Sequence, residues 1–264
     1  MLSDKTRRNY HALISSILSW AVKWQVIPSN PAERVSPPKI SVKEAAYLDD
    51  TSALDLLAAL EDEPIKERTA IELLLYTGMR RGELLGLKWD DVDFEKETIS
   101  IQRAALYLPG EGVFFDETKT KSSVRVLKVS DTVLIPLRKY KAWQSAERLS
   151  MGDAWHDEDW IFTTYDGHVM RPDYLTRWFA QFVKRKGLPE VHLHSLKHTN
   201  ATLLIANGTN LQTVAGRLGH ANASTTIKSA EAAAVKALDT ILDKNRLAAK
   251  YFFNSIMNKS GKWH

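Results

Sequence analysis

The sequence predicts a mainly α chain that carries a small antiparallel β-sheet, an α+β architecture. Two observations lead there. Apolar residues recur at helical spacing over most of the 264 residues, and one insert between residues 98 and 129 alternates instead with a period of two. A third, the Pro37-Pro38 stretch, places a domain boundary near residue 40.

The first helix spans residues 3–25. Tyr10, Leu13, Ile14, Ile17, Leu18, Ala21 and Trp24 share one face, and Pro28 with Asn30-Pro31 stops it. Its apolar stripe meets no local partner, so it is expected to pack on a distant or a missing one. Beyond the linker, Asp50 or Thr51 caps a helix through Leu56, Leu57 and Leu60. Pro64 suits the first position of the next helix, which carries Ile71, Leu74 and Leu75 and ends at Gly78. Thr98–Arg103 and Ser123–Val129 read as strands, with turn material around Pro109, Gly110 and Gly112 between them. After Ser130 the helices resume, punctuated at Gly152, Gly187-Leu188-Pro189, Asn207-Gly208 and Gly219. Residues 231–249 form a last amphipathic helix, with Val235, Leu238 and Leu242 on one stripe.

Composition narrows the function class. Hydrophobic residues make up 44% and charged residues 26%, which suits a folded globular protein. Cysteine is absent, so disulfides, thiolate nucleophiles and Cys-ligated zinc are excluded. No apolar run approaches the roughly 18–20 residues of a membrane span, and the N-terminus is too polar for a signal peptide. A cytoplasmic location without membrane attachment is expected. The 36 Lys+Arg against 32 Asp+Glu leave a charge of +4, which permits an acidic partner without requiring one.

Four segments concentrate side chains suited to chemistry. Arg80 and Arg81 follow Thr77-Gly78-Met79 and open a short helix with Glu83 one turn on. A guanidinium held there is matched to phosphate, because its fork donates two parallel hydrogen bonds; a surface ion pair with Glu83 is the plainer reading. Lys119 and Lys121 lie in Thr118–Lys121 ahead of a strand containing Arg125. Such cations can reach a groove or protonate a leaving oxygen, or merely protect a sheet edge. His192, His194, Lys197 and His198 fall together in VHLHSLKHT, and His220 follows Leu218-Gly219. The histidines could ligate a metal, but no carboxylate accompanies them and no H-E-x-x-H pattern is present; a phosphate-binding face is the other reading. Lys184-Arg185-Lys186 is either a solvated helix end or a phosphate contact. Trp89, Trp143, Trp160 and Trp178 are expected as core anchors.

In order and spacing, TGMRRGELLGLKWDDVD, TKTKSSVRVLKV, HSLKHT and LGHANASTT resemble the catalytic domain of the tyrosine recombinases, the phage-integrase family, over roughly residues 45–245. The helix ending in Asn30-Pro31-Ala32 resembles the last part of that family's core DNA-binding domain. The resemblance implies that residues 1–40 are a truncated remnant of that domain with its linker. Residues 41–264 are then the catalytic domain with its C-terminal helix. It implies double-stranded DNA as partner, no cofactor, and cleavage through a covalent protein–DNA phosphodiester. The C-terminal helix would dock on a neighbouring copy in a DNA-bound tetramer.

By motif match, Arg80 clamps the non-bridging phosphate oxygens and Glu83 supports it. Lys119 protonates the leaving 5′-oxygen, with Lys121 in its place if the register slips by two. His194 and His220 hydrogen-bond the phosphate. Arg81, Lys121, Arg125, Lys184, Arg185 and Lys186 would bind DNA. Two positions depart from the family. Lys197 stands where the second arginine is expected, keeping charge but losing the fork. Ser229 stands at the tyrosine nucleophile position, and its aliphatic hydroxyl is shorter and less acidic than a phenol. The departures leave three readings: a recombinase altered at its nucleophile, a catalytically inactive relative that binds DNA, or one that uses Tyr251, the only tyrosine after Ser229. The basic residues are expected on one face, with Glu61-Asp62-Glu63 and Asp157-Glu158-Asp159 elsewhere.

Overall fold

The structure, a computed structural model, describes residues 2–39, 47–117 and 124–219. The chain divides into two compact units, Met1–Glu44 and Ala45–His264.

In the first unit, Ser3 caps α1 (Asp4–Lys23) by accepting the Thr6 N–H at 3.2 Å. The helix ends at Lys23, two residues before the expected end at residue 25, where Gln25 takes a left-handed φ of 59°. Asn30 then ties the returning chain to α1. Its Nδ2 donates to Ser15 O and Ser19 Oγ at 3.0 and 2.9 Å, and its Oδ1 accepts the Ala32 N–H at 3.0 Å. Ile14, Ile17 and Trp24 of the stripe are more than half exposed.

The second unit is helical around two small antiparallel sheets. Asp49, one residue before the expected cap, closes the start of α2 (Asp50–Leu60) by accepting the Ser52 N–H at 2.8 Å. Pro64 is the cap of α3 (Ile65–Thr77) rather than its first residue. Short α4 (Arg81–Leu85) leads to β1 (Val92–Asp93), β2 (Thr98–Ile101), β3 (Arg103–Leu108), β4 (Gly112–Glu117) and β5 (Arg125–Lys128). Helices α5 (Asp131–Met151), α6 (Pro172–Arg185), α7 (Ser195–Ala206) and α8 (Leu211–Leu218) follow.

The β region departs from the expected two strands. Thr98–Arg103 is broken at Gln102, so that β2 lies between β1 and β5 while β3 joins β4 in a separate hairpin. Only residues 109–111 make the hairpin turn; residues read as turn material on either side are paired, Leu106 opposite Phe114. The tertiary reason is packing. Ala105 of β3 is buried, and Phe115 of β4 stacks on Trp160 with centroids 4.2 Å apart.

One continuous core joins α2, α3, the sheet, α5 and α6, with Leu60, Ile71, Ile99, Leu134, Phe162 and Phe182 each essentially without solvent contact. Trp89 and Trp160 are buried, and Trp143 and Trp178 pack on the core, in their expected role as anchors. Among the described residues no helix is long and apolar enough to cross a membrane. Residues 231–249, the expected C-terminal helix, lie outside the described residues.

Gly78 ends α3 at φ 64°, a left-handed position that frees the chain to turn into α4. A Cβ there would fall 2.3 Å from Leu218 Cδ2 and 2.8 Å from Asn200 Oδ1. Gly78→Ala is therefore expected to cost about 2–4 kcal/mol, the left-handed strain adding to overpacking. A urea denaturation midpoint equal to that of the parent chain would refute this.

Candidate functional site

Four elements converge around Glu83. The turn at Gly78 delivers Arg80 to the cap position of α4, with Glu83 at the third helical residue. That position lets the Glu83 carboxylate reach back and accept the Arg80 backbone N–H at 2.7 Å, half of a capping box. The same carboxylate takes Arg80 Nη1 at 2.8 Å on Oε1. Arg125, from β5, forks across both oxygens, Nη1 to Oε1 at 3.1 Å and Nη2 to Oε2 at 2.8 Å. Four donors thus saturate one carboxylate that is only 4% exposed. Burial alone would push the Glu83 carboxyl up; the hydrogen bonds and charge of Arg125, joined by Arg80, outweigh it and hold the group below the usual carboxylate range.

The end of α8 supplies the opposite wall. A helix leaves its last carbonyls without intrahelical partners and with partial negative charge. Here three successive carbonyls each accept from a different cation. Arg217 O takes Arg125 Nε at 2.9 Å, Leu218 O takes Lys197 Nζ at 2.6 Å, and Gly219 O takes Arg80 Nη2 at 3.2 Å. Gly219 adopts φ 61°, ending the helix.

Lys197 belongs to α7, whose cap position is His194. It is buried, 4% exposed, and both oxygens of Glu83 are already committed to the arginines. Burial first, then the charge of Arg80, opposed by Glu83 and joined by Arg125, lowers its pKa to about 7. His194 and His198 face each other edge to face, 5.3 Å between centroids. Desolvation lowers the pKa of both; for His194 the charges of His198, Lys197 and Arg80 add to it, for His198 that of Lys197.

Arg80, Glu83, Arg125, Lys197 and the His194 cap are therefore brought together. The remaining sequence-selected residues are not all with them. Arg81 leans on α6 through Thr176 Oγ1 at 2.5 Å. Lys184 is exposed, whereas Arg185 and Lys186 engage Glu63 at 2.6 and 3.4 Å. That corrects the expected separation of basic and acidic residues, because the end of α6 packs beside the acidic loop after α2. The Arg125 side chain is 9% exposed and its fork is filled by Glu83. Lys119, Lys121, His220, Ser229 and Tyr251 lie outside the described residues. Among the described residues no group of three or more His, Asp or Glu is placed to hold a metal ion. The proposed His192, His194, His198 and His220 set cannot be assembled from described residues alone.

Two participants had not been singled out. Arg217 links α8 to β5 and α3 through Lys128 O at 2.9 Å and Tyr76 O at 3.3 Å. Asn200 Nδ2 holds the last turn of α3 through Leu75 O and Tyr76 O at 2.8 and 3.1 Å. Nothing in their local spacing marks them, since their partners lie 89 to 141 residues away.

Comparison with known proteins then settles the family. The model of the phage integrase family matches residues 46–234. The chain belongs to the phage integrase family. It is 31% identical over 217 residues to a XerC-like tyrosine recombinase of Caldanaerobacter subterraneus subsp. tengcongensis, covering 76% of this chain and 52% of that protein. It is 27% identical over 226 residues to the ICEBs1 integrase of Bacillus subtilis, covering 86% of this chain and 61% of that one. The chain thus spans between half and two thirds of these two relatives. In fold, this family member is similar to the Tn1549 transposon integrase solved with transposon right end DNA, with a TM-score of 0.75 and 24% identity over 86% of this chain and 75% of that one. XerA recombinase gives a TM-score of 0.61 at 23% identity, over 85% and 71% of the two chains.

Proposed function

We propose that the chain acts on double-stranded DNA as a site-specific recombinase of the integrase type, with the Arg80 cluster as its phosphate site. The observation that carries this reading is the charge balance around Glu83. One carboxylate serves two arginines and leaves Lys197 without an anionic partner, so the cluster carries a surplus of positive charge. Arg80, whose side chain is 46% exposed, presents that surplus to solvent. A rigid guanidinium in such a cluster suits a phosphodiester, whose transition state spreads negative charge over its oxygens.

In the proposed reaction a protein hydroxyl oxygen attacks the phosphorus, the phosphorus–5′-oxygen bond breaks, and a proton passes to the departing 5′-oxygen. A second strand's 5′-hydroxyl reverses the step, so the phosphodiester energy is retained and no cofactor enters. Arg80 and Lys197 neutralise the non-bridging oxygens, and His194 and His220 donate to them. Lys119 delivers the proton, and Glu83 orients Arg80. Arg81, Lys121, Lys184, Arg185 and Lys186 would add backbone contacts. Residues 1–40 would form the end of a DNA-binding domain, residues 41–264 the catalytic domain, and the C-terminal helix the contact between copies of a tetramer on cytoplasmic DNA.

Ser229 at the nucleophile position supports a second reading, an inactive relative that occupies recombination sites without cutting them. One experiment separates the two states. Ser229→Tyr, alone and with Lys197→Arg, is mixed with nicked duplex DNA, and covalent adducts are resolved on a denaturing gel. An adduct from either variant is expected if the phosphate site is otherwise intact. Intact DNA binding with no adduct from both would favour the inactive relative.

A further inference from the structure

The sequence groups Arg125 with surface residues that touch DNA, but its surroundings suit a different task. Its side chain is 9% exposed. Nη1 and Nη2, the fork with which an arginine grips a phosphate, both face Glu83, and Nε is spent on Arg217 O. A bidentate phosphate contact would have to displace a buried carboxylate. The guanidinium also lies directly beneath the turn that ends α8: a Cβ at Gly219 would fall 2.7 Å from Arg125 Nη1 and 3.0 Å from Cζ. Its strand anchors it to the core, since Arg125 sits opposite the fully buried Ile101 in the β2–β5 ladder.

The same carboxylate that Arg125 grips holds both the backbone N–H and Nη1 of Arg80. The same turn that covers Arg125 offers its carbonyl to Arg80 Nη2. Among the described residues, the side-chain hydrogen bonds of Arg125 therefore all go to the two supports of the exposed arginine.

We propose that Arg125 is a positioning residue that fixes the Arg80 guanidinium through Glu83 and through the Gly219 turn, and makes no phosphate contact of its own. As far as DNA is concerned, this rests on the reading of Arg80 as a phosphate contact.

The test uses the full chain as Arg80→Gln, Arg125→Gln and the double variant. Binding to a fluorescent random-sequence duplex is followed across salt concentrations. Loss of one phosphate contact lowers the slope of log affinity against log salt by about 0.9. Arg80→Gln should show that loss, and the double variant should show no more. A further drop of about 0.9 in the double variant would mean that Arg125 meets its own phosphate, which overturns the proposal.

A second readout needs no DNA. In 15N-labelled protein the Arg80 Nε–Hε signal should shift or broaden in Arg125→Gln and return toward its parent position in Arg125→Lys. It should stay unmoved in Arg148→Gln, which breaks a separate ion pair with Asp157. An unmoved Arg80 signal in Arg125→Gln overturns the positioning role. If Arg125→Gln does not fold, Arg125→Met takes its place, and an unmoved Arg80 signal in that variant overturns the role. A displaced signal with an unchanged salt slope in Arg80→Gln would leave the positioning role in place and remove the DNA reading instead.

Discussion

Glu83→Gln is expected to lower the unfolding free energy by about 3 kcal/mol, the lower end of what breaking a buried ion pair costs. The amide is nearly isosteric, so the loss comes from charge and donor matching rather than from a cavity. Four donors converge on the carboxylate, and the amide nitrogen cannot accept from any of them. Arg125, almost without solvent contact, is left as a buried charge without its anion. Urea denaturation at pH 7 measures the effect, and a change below about 1 kcal/mol would show that the carboxylate is not what holds the two arginines.

The same group sets an acid limb. Its pKa is lower folded than unfolded, so its stabilisation is fully present above the unfolded value and is lost as pH falls through the folded one. In Glu83→Gln that part of the acid sensitivity should be gone.

DNA affinity is expected to fall by about tenfold as pH rises through 7, and Lys197→Arg should abolish most of the fall. The pKa of Lys197 is lowered to about 7, so the rise removes one cation from the cluster. One charge-assisted hydrogen bond contributes about 1.5–3 kcal/mol, and each 1.4 kcal/mol is tenfold in affinity. Burial first, and then neighbouring cations, lower the pKa of His194 and His198 below the ordinary histidine value. DNA phosphodiesters do not titrate around neutral pH. Fluorescence anisotropy at pH 6.5 and 8.5, at constant ionic strength, decides the matter; an equal fall in Lys197→Arg would assign the dependence to another group.

Stability moves in the opposite sense. Between about 7 and the unfolded lysine value the unfolded chain holds a proton that the folded chain has released, so stability rises with pH there. Lys197→Met should remove that rise.

How much of this was legible in the sequence follows from the range over which each signal acts. Arg80 and Glu83 were readable together because a glycine stop, a cap and a residue one helical turn on all lie within six positions, Gly78 to Glu83. His194, Lys197 and His198 were readable because helical spacing places them as neighbours. The β3–β4 hairpin was not, because its pairing competes with a Pro-Gly turn signal and is settled by Phe115 stacking on a tryptophan 45 residues later. The Glu83 contact of Arg125 was not legible for a similar reason. A basic residue on a strand looks the same whether it faces water or a buried carboxylate 42 residues away.

The sequence by itself determined the residues at hand: a chain without cysteine, and four motifs that resemble the integrase order, with Arg80, Glu83, His194 and Lys197 among them. These are matters of residue identity and short spacing, which local physics makes readable. Only the tertiary structure decided what the cations do with one another. It put two arginines on one carboxylate, left Lys197 with a carbonyl in place of an anion, and set three successive carbonyls of α8 against three different cations. Apart from Arg80 and Glu83, which are local neighbours, those partners lie between 21 and 139 residues apart along the chain, so a shared core, and no local propensity, brings them within hydrogen-bonding distance.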